Sequence, residues 1–252
     1  MAASFRLDGR RAIVTGASRG LGAAMTRALA EAGADVAGVA TGDLAATGSV
    51  VRDRGRRFVA IAEDLADTDA PGRIVARAVE AFGGVDILVN NAGIIRRADA
   101  LDVTREDWND VLDVNLKAAF FLAQAVARRL VEQRHGGKIV NVASMLSFQG
   151  GVRVASYTAS KSGILGLTRL LANEWAACGI NVNAIAPGYM ATDNTAPLRA
   201  DPQRASEILA RIPAGRWGDP ADLDGAVVFL ASSASDYVHG TTLAVDGGWL
   251  AR

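Results

Sequence analysis

A glycine-rich turn near the N-terminus constrains the fold more than any other stretch. The β-branched run Ala12–Val14 leads into Thr15-Gly16-x-x-x-Gly20-x-Gly22, and a helix-like stretch follows over Ala23–Ala32. Residues without a Cβ let backbone amides and a helix N-terminus approach a pyrophosphate. The order strand, glycine turn, helix is typical of a dinucleotide-binding unit, although the spacing differs from the commoner G-x-G-x-x-G. A plain tight turn is the alternative interpretation of the glycines alone.

Short apolar segments alternate with helical patterns along the rest of the chain. The further predicted strands are Asp35–Ala40, Phe58–Ala62, Val85–Val89, Lys138–Val142, Ile180–Ile185 and Thr242–Val245, and the main helical patterns are Ile74–Phe82, Glu106–Gln133, 157–177, Gln203–Ile212 and Pro220–Ala231. Such alternation implies a parallel sheet, either open or closed into an eight-stranded barrel. The glycine turn favours the open sheet.

The predicted fold class is therefore α/β. We expect a single doubly wound Rossmann-type domain over residues 1–252, with about seven parallel strands and helices on both faces. No repeat, low-complexity tract or Pro/Ser-rich linker divides the chain. The irregular segment around 188–215 is predicted to be a substrate lid over the crevice rather than a separate domain.

Composition and charge argue against several functional classes. Half of the 252 residues are hydrophobic, and the 27 Lys and Arg equal the 27 Asp and Glu, so no global charge favours nucleic acid or an anionic membrane. Cys178 is the single cysteine, and His135 and His239 lie far apart in sequence, which argues against a disulfide or a zinc site. The segment Met1–Arg11 lacks an apolar signal region and no apolar run has membrane-spanning length, so we expect a cytoplasmic protein.

Three reactive side chains lie within one predicted strand–loop–helix unit. Ser144 follows an apolar strand, while Tyr157 and Lys161 are four residues apart in a helical pattern and so share one helix face. A phenol has an unperturbed pKa of about 10 and needs a nearby cation to act near neutral pH. Each residue alone has a structural explanation, namely a strand end, a core aromatic or a solvated lysine. Their occurrence together behind a nucleotide turn indicates a site for proton transfer.

Polar residues elsewhere acquire meaning from that site. Asn90-Asn91-Ala92-Gly93 closes a strand whose carboxyl end lies beside a cofactor in a doubly wound sheet, although Asn and Gly also favour an ordinary turn. Asp64 and Leu65 follow another strand and could cradle an adenine or cap a helix. Asn115 lies among apolar neighbours in a long helix, as a paired core amide or as part of a water relay.

Together these motifs resemble the short-chain dehydrogenase/reductase family over essentially the whole chain. The resemblance implies that Tyr157 is the general acid/base and that Ser144 holds the substrate oxygen. It implies that Lys161 lowers the pKa of Tyr157 and bonds the nicotinamide ribose, while Asn115 supports a proton relay. The implied cofactor is NAD or NADP, bound by Thr15, Gly16, Ser18, Arg19, Gly20, Leu21, Gly22, Thr41, Asp64, Leu65, Asn91, Ala92, Gly93, Tyr157, Lys161, Pro187, Gly188 and Thr192.

A narrower similarity concerns the loops around the site. The runs Gly93–Arg97, Ala143–Gly151, Ala186–Thr192, Arg211–Gly218 and Ala244–Leu250 are similar to those of family members that interconvert the 5-hydroxyl and 5-ketone of 2-dehydro-3-deoxy-D-gluconate. An acid substrate needs a cationic anchor. Arg96 and Arg153 are the principal candidates, with Arg97 beside them and Gln149 as a polar contact, and solvated surface arginines are the alternative.

Several alternatives stay open at this point. The absence of an acid at Ala40-Thr41, together with Arg19, favours NADP, whereas the resemblance favours NAD. A 3-oxoacyl-carrier-protein reductase would use Arg128, Arg129 and Arg169 as a basic patch for its carrier, and a gluconate or 2-deoxygluconate dehydrogenase or a non-catalytic nucleotide-binding protein are further possibilities. The family resemblance also implies a homotetramer, formed through the helices over 106–133 and 157–177.

Overall fold

The computed structural model describes residues 4–252, so residues 1–3 of the N-terminal segment lie outside the described part. Seven strands form one sheet in the order β3-β2-β1-β4-β5-β6-β7, with every neighbouring pair parallel. The strands are β1 (Arg11–Thr15), β2 (Asp35–Ala40), β3 (Phe58–Ala62), β4 (Ile87–Asn90), β5 (Gly137–Val142), β6 (Ile180–Pro187) and β7 (Thr242–Val245). The chain changes direction across the sheet between β1 and β4, which opens a crevice at their carboxyl ends.

The helices cover both faces of this sheet. They are α1 (Gly20–Ala32), α2 (Ala45–Arg52), α3 (Ala70–Phe82), α4 (Arg105–Leu112), α5 (Ala118–Gln133), α6 (Ala155–Trp175), α7 (Ala196–Ala200), α8 (Pro202–Arg211) and α9 (Asp224–Ala231). On one face, Leu29 of α1 and Val227 of α9 pack in a single apolar cluster with the strands. On the other, Ile74 of α3 and Val126 of α5 belong to a second cluster. The predicted doubly wound sheet with helices on both faces is confirmed.

The long helix predicted over Glu106–Gln133 is interrupted. Between α4 and α5 the chain forms a π-helical turn, Asp113–Lys117, with the buried Asn115 at its centre. A π turn accommodates one more residue than an α turn and occurs most often at functional sites. The apolar periodicity does not reveal it, because the segments on either side still present one apolar face.

Other boundaries differ by a few residues. β4 begins at Ile87 rather than Val85, and β6 continues past Ile185 to Pro187, where it still pairs with β7. β3 is an edge strand and is only partly buried, so the expectation of burial on both faces is wrong for it. The segment predicted to be irregular before Pro202 contains the short helix α7. In the described residues 4–252, no helix is both long and apolar enough to cross a membrane.

Candidate active site

A cavity of about 610 Å³ lies at the carboxyl ends of the strands and unites most of the predicted site. Of the residues predicted to bind cofactor, all except Thr15 line it, and Ser144 and Arg96 line it as well. Lining residues that the sequence reasoning did not select are Val39, Ala40, Glu63, Ala66, Ile94, Asp110, Val114, Val142, Ala143, Met190, Asp193, Asn194 and Thr195. The cavity therefore runs from the glycine turn to the Ser144–Tyr157 pair.

The glycine turn packs too closely for larger residues. Gly16 has a φ of 66°, in the left-handed region, and a Cβ on Gly22 would overlap the carbonyl oxygen of Gly16 and the side chain of Asn91. Arg19 precedes α1 without a side-chain hydrogen bond to the first turn. The amide groups of that turn thus keep their hydrogen-bonding capacity for an anion, in the way that helix N-termini hold phosphates.

Thr15 supports the wall of the cavity from behind. Its hydroxyl accepts hydrogen bonds from the backbone N–H groups of Asn91 and Ala92, both at 3.0 Å, and donates to the carbonyl of Val89 at 3.4 Å. These bonds use both lone pairs and the proton of the hydroxyl. Thr15 therefore joins the loop after β4 to β1, and it does not face the cavity.

The end of β2 carries no free acid toward the cavity. Thr41 lines the wall, while the carboxylate of Asp43 accepts a hydrogen bond from the Ala45 N–H at 2.8 Å, at the start of α2. Arg19 is exposed and pairs only loosely with the equally exposed Asp193, at 3.6 Å. This end of the cavity is therefore cationic rather than anionic.

Lys161 is buried and held by the backbone. Its ammonium donates to the carbonyl of Val142 at 2.7 Å and lies 5.7 Å from the centre of the Tyr157 ring. Burial lowers the pKa of Lys161 to about 8. The lysine thus lies on the same helix face as the tyrosine, as its spacing predicts.

Two opposing effects act on the pKa of Tyr157. Burial raises it, because a phenolate is poorly solvated there, whereas a hydrogen bond with Ser144 and the charge of Arg97 lower it, and the balance is a raised pKa. The cation with a resolved effect is thus Arg97, a role that the sequence reasoning gave to Lys161.

Ser144 ends β5 in extended backbone, with a φ of −161°, and its hydroxyl accepts from the Leu146 N–H at 3.1 Å. The hydroxyl proton is then free for donation.

Asn115 is a fully paired amide. Its oxygen accepts from the Ile94 N–H at 2.8 Å, and its nitrogen donates to the Ile94 carbonyl at 2.9 Å and to the Ser160 hydroxyl at 3.2 Å. Ser160 in turn donates to the carbonyl of Tyr157 at 2.8 Å. The π turn thus connects the loop after β4 with the helix that carries the tyrosine.

The three arginines considered for substrate binding have different partners. Arg96 lies between Asp107 at 3.3 Å and Asp110 at 3.4 Å. Arg153 pairs with Asp99 at 3.3 Å and, like Gln149, lies outside the cavity lining. Arg97 contacts a backbone oxygen, that of Asn194, at 3.5 Å, and no ion pair of Arg97 is found among residues 4–252. It also lies outside the lining, but its charge reaches Tyr157.

The segment 188–215 packs over the loop that follows Ser144. Ile208 and Ile212 belong to an apolar cluster with Met145 and Trp249. The Arg211 guanidinium lies 4.1 Å above the Trp249 ring and donates to the Gln149 side-chain oxygen at 3.1 Å. Arg211 and Trp249 were not predicted as site residues. A cation next to Gln149 in space, but 62 residues away in sequence, leaves no local signal.

Comparison with known proteins agrees with this site. A family model described as Enoyl-(Acyl carrier protein) reductase matches residues 16–250. The 2-dehydro-3-deoxy-D-gluconate 5-dehydrogenase of Dickeya dadantii is 60% identical over 249 residues, covering 99% of this chain and 98% of the relative.

Two solved structures match closely as well. A candidate 2-deoxy-D-gluconate 3-dehydrogenase from Agrobacterium tumefaciens, with bound NADP, is 56% identical with a TM-score of 0.93, covering 98% of this chain and 99% of the other. A candidate short-chain alcohol dehydrogenase from Sinorhizobium meliloti is 47% identical with a TM-score of 0.95, covering 98% of both. The chain therefore belongs to the short-chain dehydrogenase/reductase family, as its motifs predict, and is an oxidoreductase dependent on a nicotinamide cofactor.

Proposed function

We propose that this enzyme transfers a hydride between a nicotinamide cofactor and C5 of a sugar acid, with 2-dehydro-3-deoxy-D-gluconate as the substrate. The observation that carries the proposal is the 60% identity, over nearly the full length, with a dehydrogenase named for this substrate. The continuous cavity from the glycine turn to Tyr157 supports it, because cofactor and substrate must meet there.

The residues present fit a dinucleotide. The glycine turn leaves no room for a Cβ at Gly22, and the first turn of α1 offers backbone amides for a pyrophosphate. Asp64 and Leu65 would enclose the adenine, and Lys161 would bond the nicotinamide ribose. When bound, the nicotinamide supplies or accepts the hydride. The chain itself binds and orients both reactants and handles the proton.

Ser144 and Tyr157 would divide the work at the reacting oxygen. Because the Ser144 hydroxyl already accepts from Leu146, its proton points to whatever oxygen lies before it. In ketone reduction, Ser144 would hold the carbonyl oxygen while Tyr157 donates its proton to that oxygen. In oxidation, the phenolate would remove the same proton. The buried ammonium of Lys161 would favour the phenolate, and Asn115 would support the proton route.

Arg97 is the best placed of the arginines to bind the substrate carboxylate. Arg96 and Arg153 already face carboxylates of the chain, whereas Arg97 contacts only the Asn194 backbone oxygen at 3.5 Å among the described residues. The charge of Arg97 also acts on Tyr157, so it lies near the reacting centre. Arg96 and Gln149 would shape the pocket, and Arg153 would steady the loop through Asp99.

The decisive experiment is a panel of substrates assayed with both NAD and NADP. It includes 2-dehydro-3-deoxy-D-gluconate, gluconate, 2-deoxygluconate and a 3-oxoacyl thioester, with Tyr157→Phe as the inactive control. We expect the highest kcat/KM for 2-dehydro-3-deoxy-D-gluconate. A preference for the thioester would overturn the proposal in favour of a carrier-protein reductase, for which the exposed Arg128 and Arg169 would be the carrier surface.

We also propose that the enzyme acts as a homotetramer. Apolar side chains are exposed on the two helices that the family resemblance implicates, with Phe121 of α5 46% exposed and Leu170 of α6 47% exposed. Such exposure is unusual for large side chains unless a partner covers them. Light scattering after size exclusion tests the proposal. Phe121→Asp should dissociate the assembly, whereas the fully exposed Tyr237→Asp should not, and a monomeric wild type would contradict it.

Two further assignments complete the proposal. Residues 188–215 would act as a lid, since this segment packs on the loop after Ser144 through Ile208 and Ile212. The cytoplasm would be the site of action, because the exposed thiol of Cys178 is suited to a reducing compartment. Limited proteolysis with and without cofactor tests the lid, and fractionation of the source cells tests the location.

A further inference from the structure

We propose that Ser147 is a positioning residue that holds Ser144 in register with the helix carrying Tyr157 and Lys161. The proposal deepens the proposed function and rests on the roles given there to Ser144 and Tyr157. Ser147 itself does not line the cavity. Its effect on the reaction would therefore pass through Ser144.

The geometry concentrates on one hydroxyl. Ser147 ends a single 3₁₀ turn, Met145–Ser147, that directly follows Ser144. Its hydroxyl accepts from the Ser144 N–H at 3.3 Å and donates to the backbone carbonyl of Lys161 at 2.7 Å. The Ser144 hydroxyl in turn accepts from Leu146, so the two serines brace the turn from both ends.

The bond to Lys161 matters because it crosses from one element to another. Ser144 belongs to the end of β5, and Lys161 lies on α6, one helical turn after Tyr157. Lys161 also binds the end of β5 through its ammonium and the Val142 carbonyl. The two contacts together fix both the side chain and the backbone of Lys161 against the segment that carries Ser144.

The loop beyond Ser147 offers little other support. Phe148 is 50% exposed and Val152 is 79% exposed, and a Cβ on Gly150 would meet no atom within 4 Å. Without the Ser147 hydroxyl, the Ser144 N–H would lose its side-chain partner and the turn would be free to shift relative to α6. A shift of about 1 Å in a reacting group costs up to roughly 100-fold in rate.

Two effects distinguish positioning from a merely structural role. Ser147→Ala should lower kcat by roughly 10- to 100-fold, while the KM for the cofactor stays close to that of the wild type, since the nucleotide turn is not touched. The acidic limb of the kcat pH profile for alcohol oxidation should move to higher pH, because the hydrogen bond from Ser144 lowers the pKa of Tyr157. Ser147→Thr keeps the hydroxyl and should restore both.

Ser235→Ala is the matched control. Ser235 is fully buried and its hydroxyl donates to backbone carbonyls at Leu230 and Ser232, far along the chain from the site. It should lower the melting temperature without moving the pH profile. If Ser147→Ala also left the pH profile in place, or if kcat were unchanged, the positioning role would be refuted.

A titration without turnover separates this proposal from the proposed function. The near-ultraviolet absorbance of phenolate, taken as the difference between each protein and its Tyr157→Phe counterpart, follows the ionisation of Tyr157 alone. Ser147→Ala should raise the pKa obtained in this way, and Ser235→Ala should not. If the wild type oxidised none of the sugar acids, the proposed function would fail, while the phenolate titration would still decide the role of Ser147.

Discussion

Replacing Arg97 by alanine is the sharpest test of how an acid substrate is held. A hydrogen bond to a charged group is worth about 1.5–3 kcal/mol, and solvent screening of the exposed Arg97 places the loss near the lower end. About 1.5 kcal/mol corresponds to roughly a tenfold lower kcat/KM for the sugar acid. Steady-state kinetics with a neutral polyol or lactone of the same length should show no such loss, because these compounds lack the carboxylate.

Arg96→Ala and Arg153→Ala are the matched controls for this experiment. Both guanidiniums already face carboxylates of the chain, and exposed ion pairs contribute only about 0–1 kcal/mol. Removal of Arg97 should also raise the pKa of Tyr157, because its positive charge lowers that pKa. The acidic limb of the oxidation rate, which needs the phenolate, should then move to higher pH. An equal loss with acid and neutral substrates, or a larger loss for Arg96→Ala, would refute the assignment.

Three further predictions follow from the site. Tyr157→Phe should lower turnover by roughly 100- to 10,000-fold, the usual contribution of a positioned acid/base, while cofactor binding measured by fluorescence is retained. Thr15→Val should lower the free energy of unfolding by about 1–3 kcal/mol in denaturant titrations, since the Asn91 and Ala92 amides lose their acceptor, and unchanged stability would contradict this. Arg19→Ala should raise the KM for NADP by about tenfold and leave that for NAD nearly unchanged, and equal effects on both would show that Arg19 does not meet the 2′-phosphate.

The parts of the fold that were predictable are those with a local signal. The strand–glycine–helix unit at Gly16–Gly22 and the edge strand Thr242–Val245 are read from neighbouring residues, because burial and turn geometry act over a few positions. The π turn around Asn115 was not predictable, since it depends on hydrogen bonds to Ile94, 21 residues away. Burial of the strands was overestimated for β3, whose edge position is a property of the sheet order.

The candidate site divides along the same line. Spacing alone places Tyr157 and Lys161 on one helix face, and the glycine motif alone indicates the cofactor turn. The partners of the arginines were not accessible in this way, because Asp107 and Asp110 reach Arg96 from a separate helix. Nor was Arg211, which approaches Gln149 only because α8 folds back over the loop after β5.

This division has a physical consequence for specificity. Lys161 and Asn115 are bound to backbone groups, the Val142 carbonyl and the amide and carbonyl of Ile94, so their positions do not depend on which substrate is present. The side chains that could distinguish one substrate from another, Arg97 and Gln149, lie on loops between elements. Substitutions there can change the substrate without disturbing proton transfer. We therefore expect the cost of an Arg97 substitution to depend on the substrate, whereas the cost of Tyr157→Phe should be the same for every substrate.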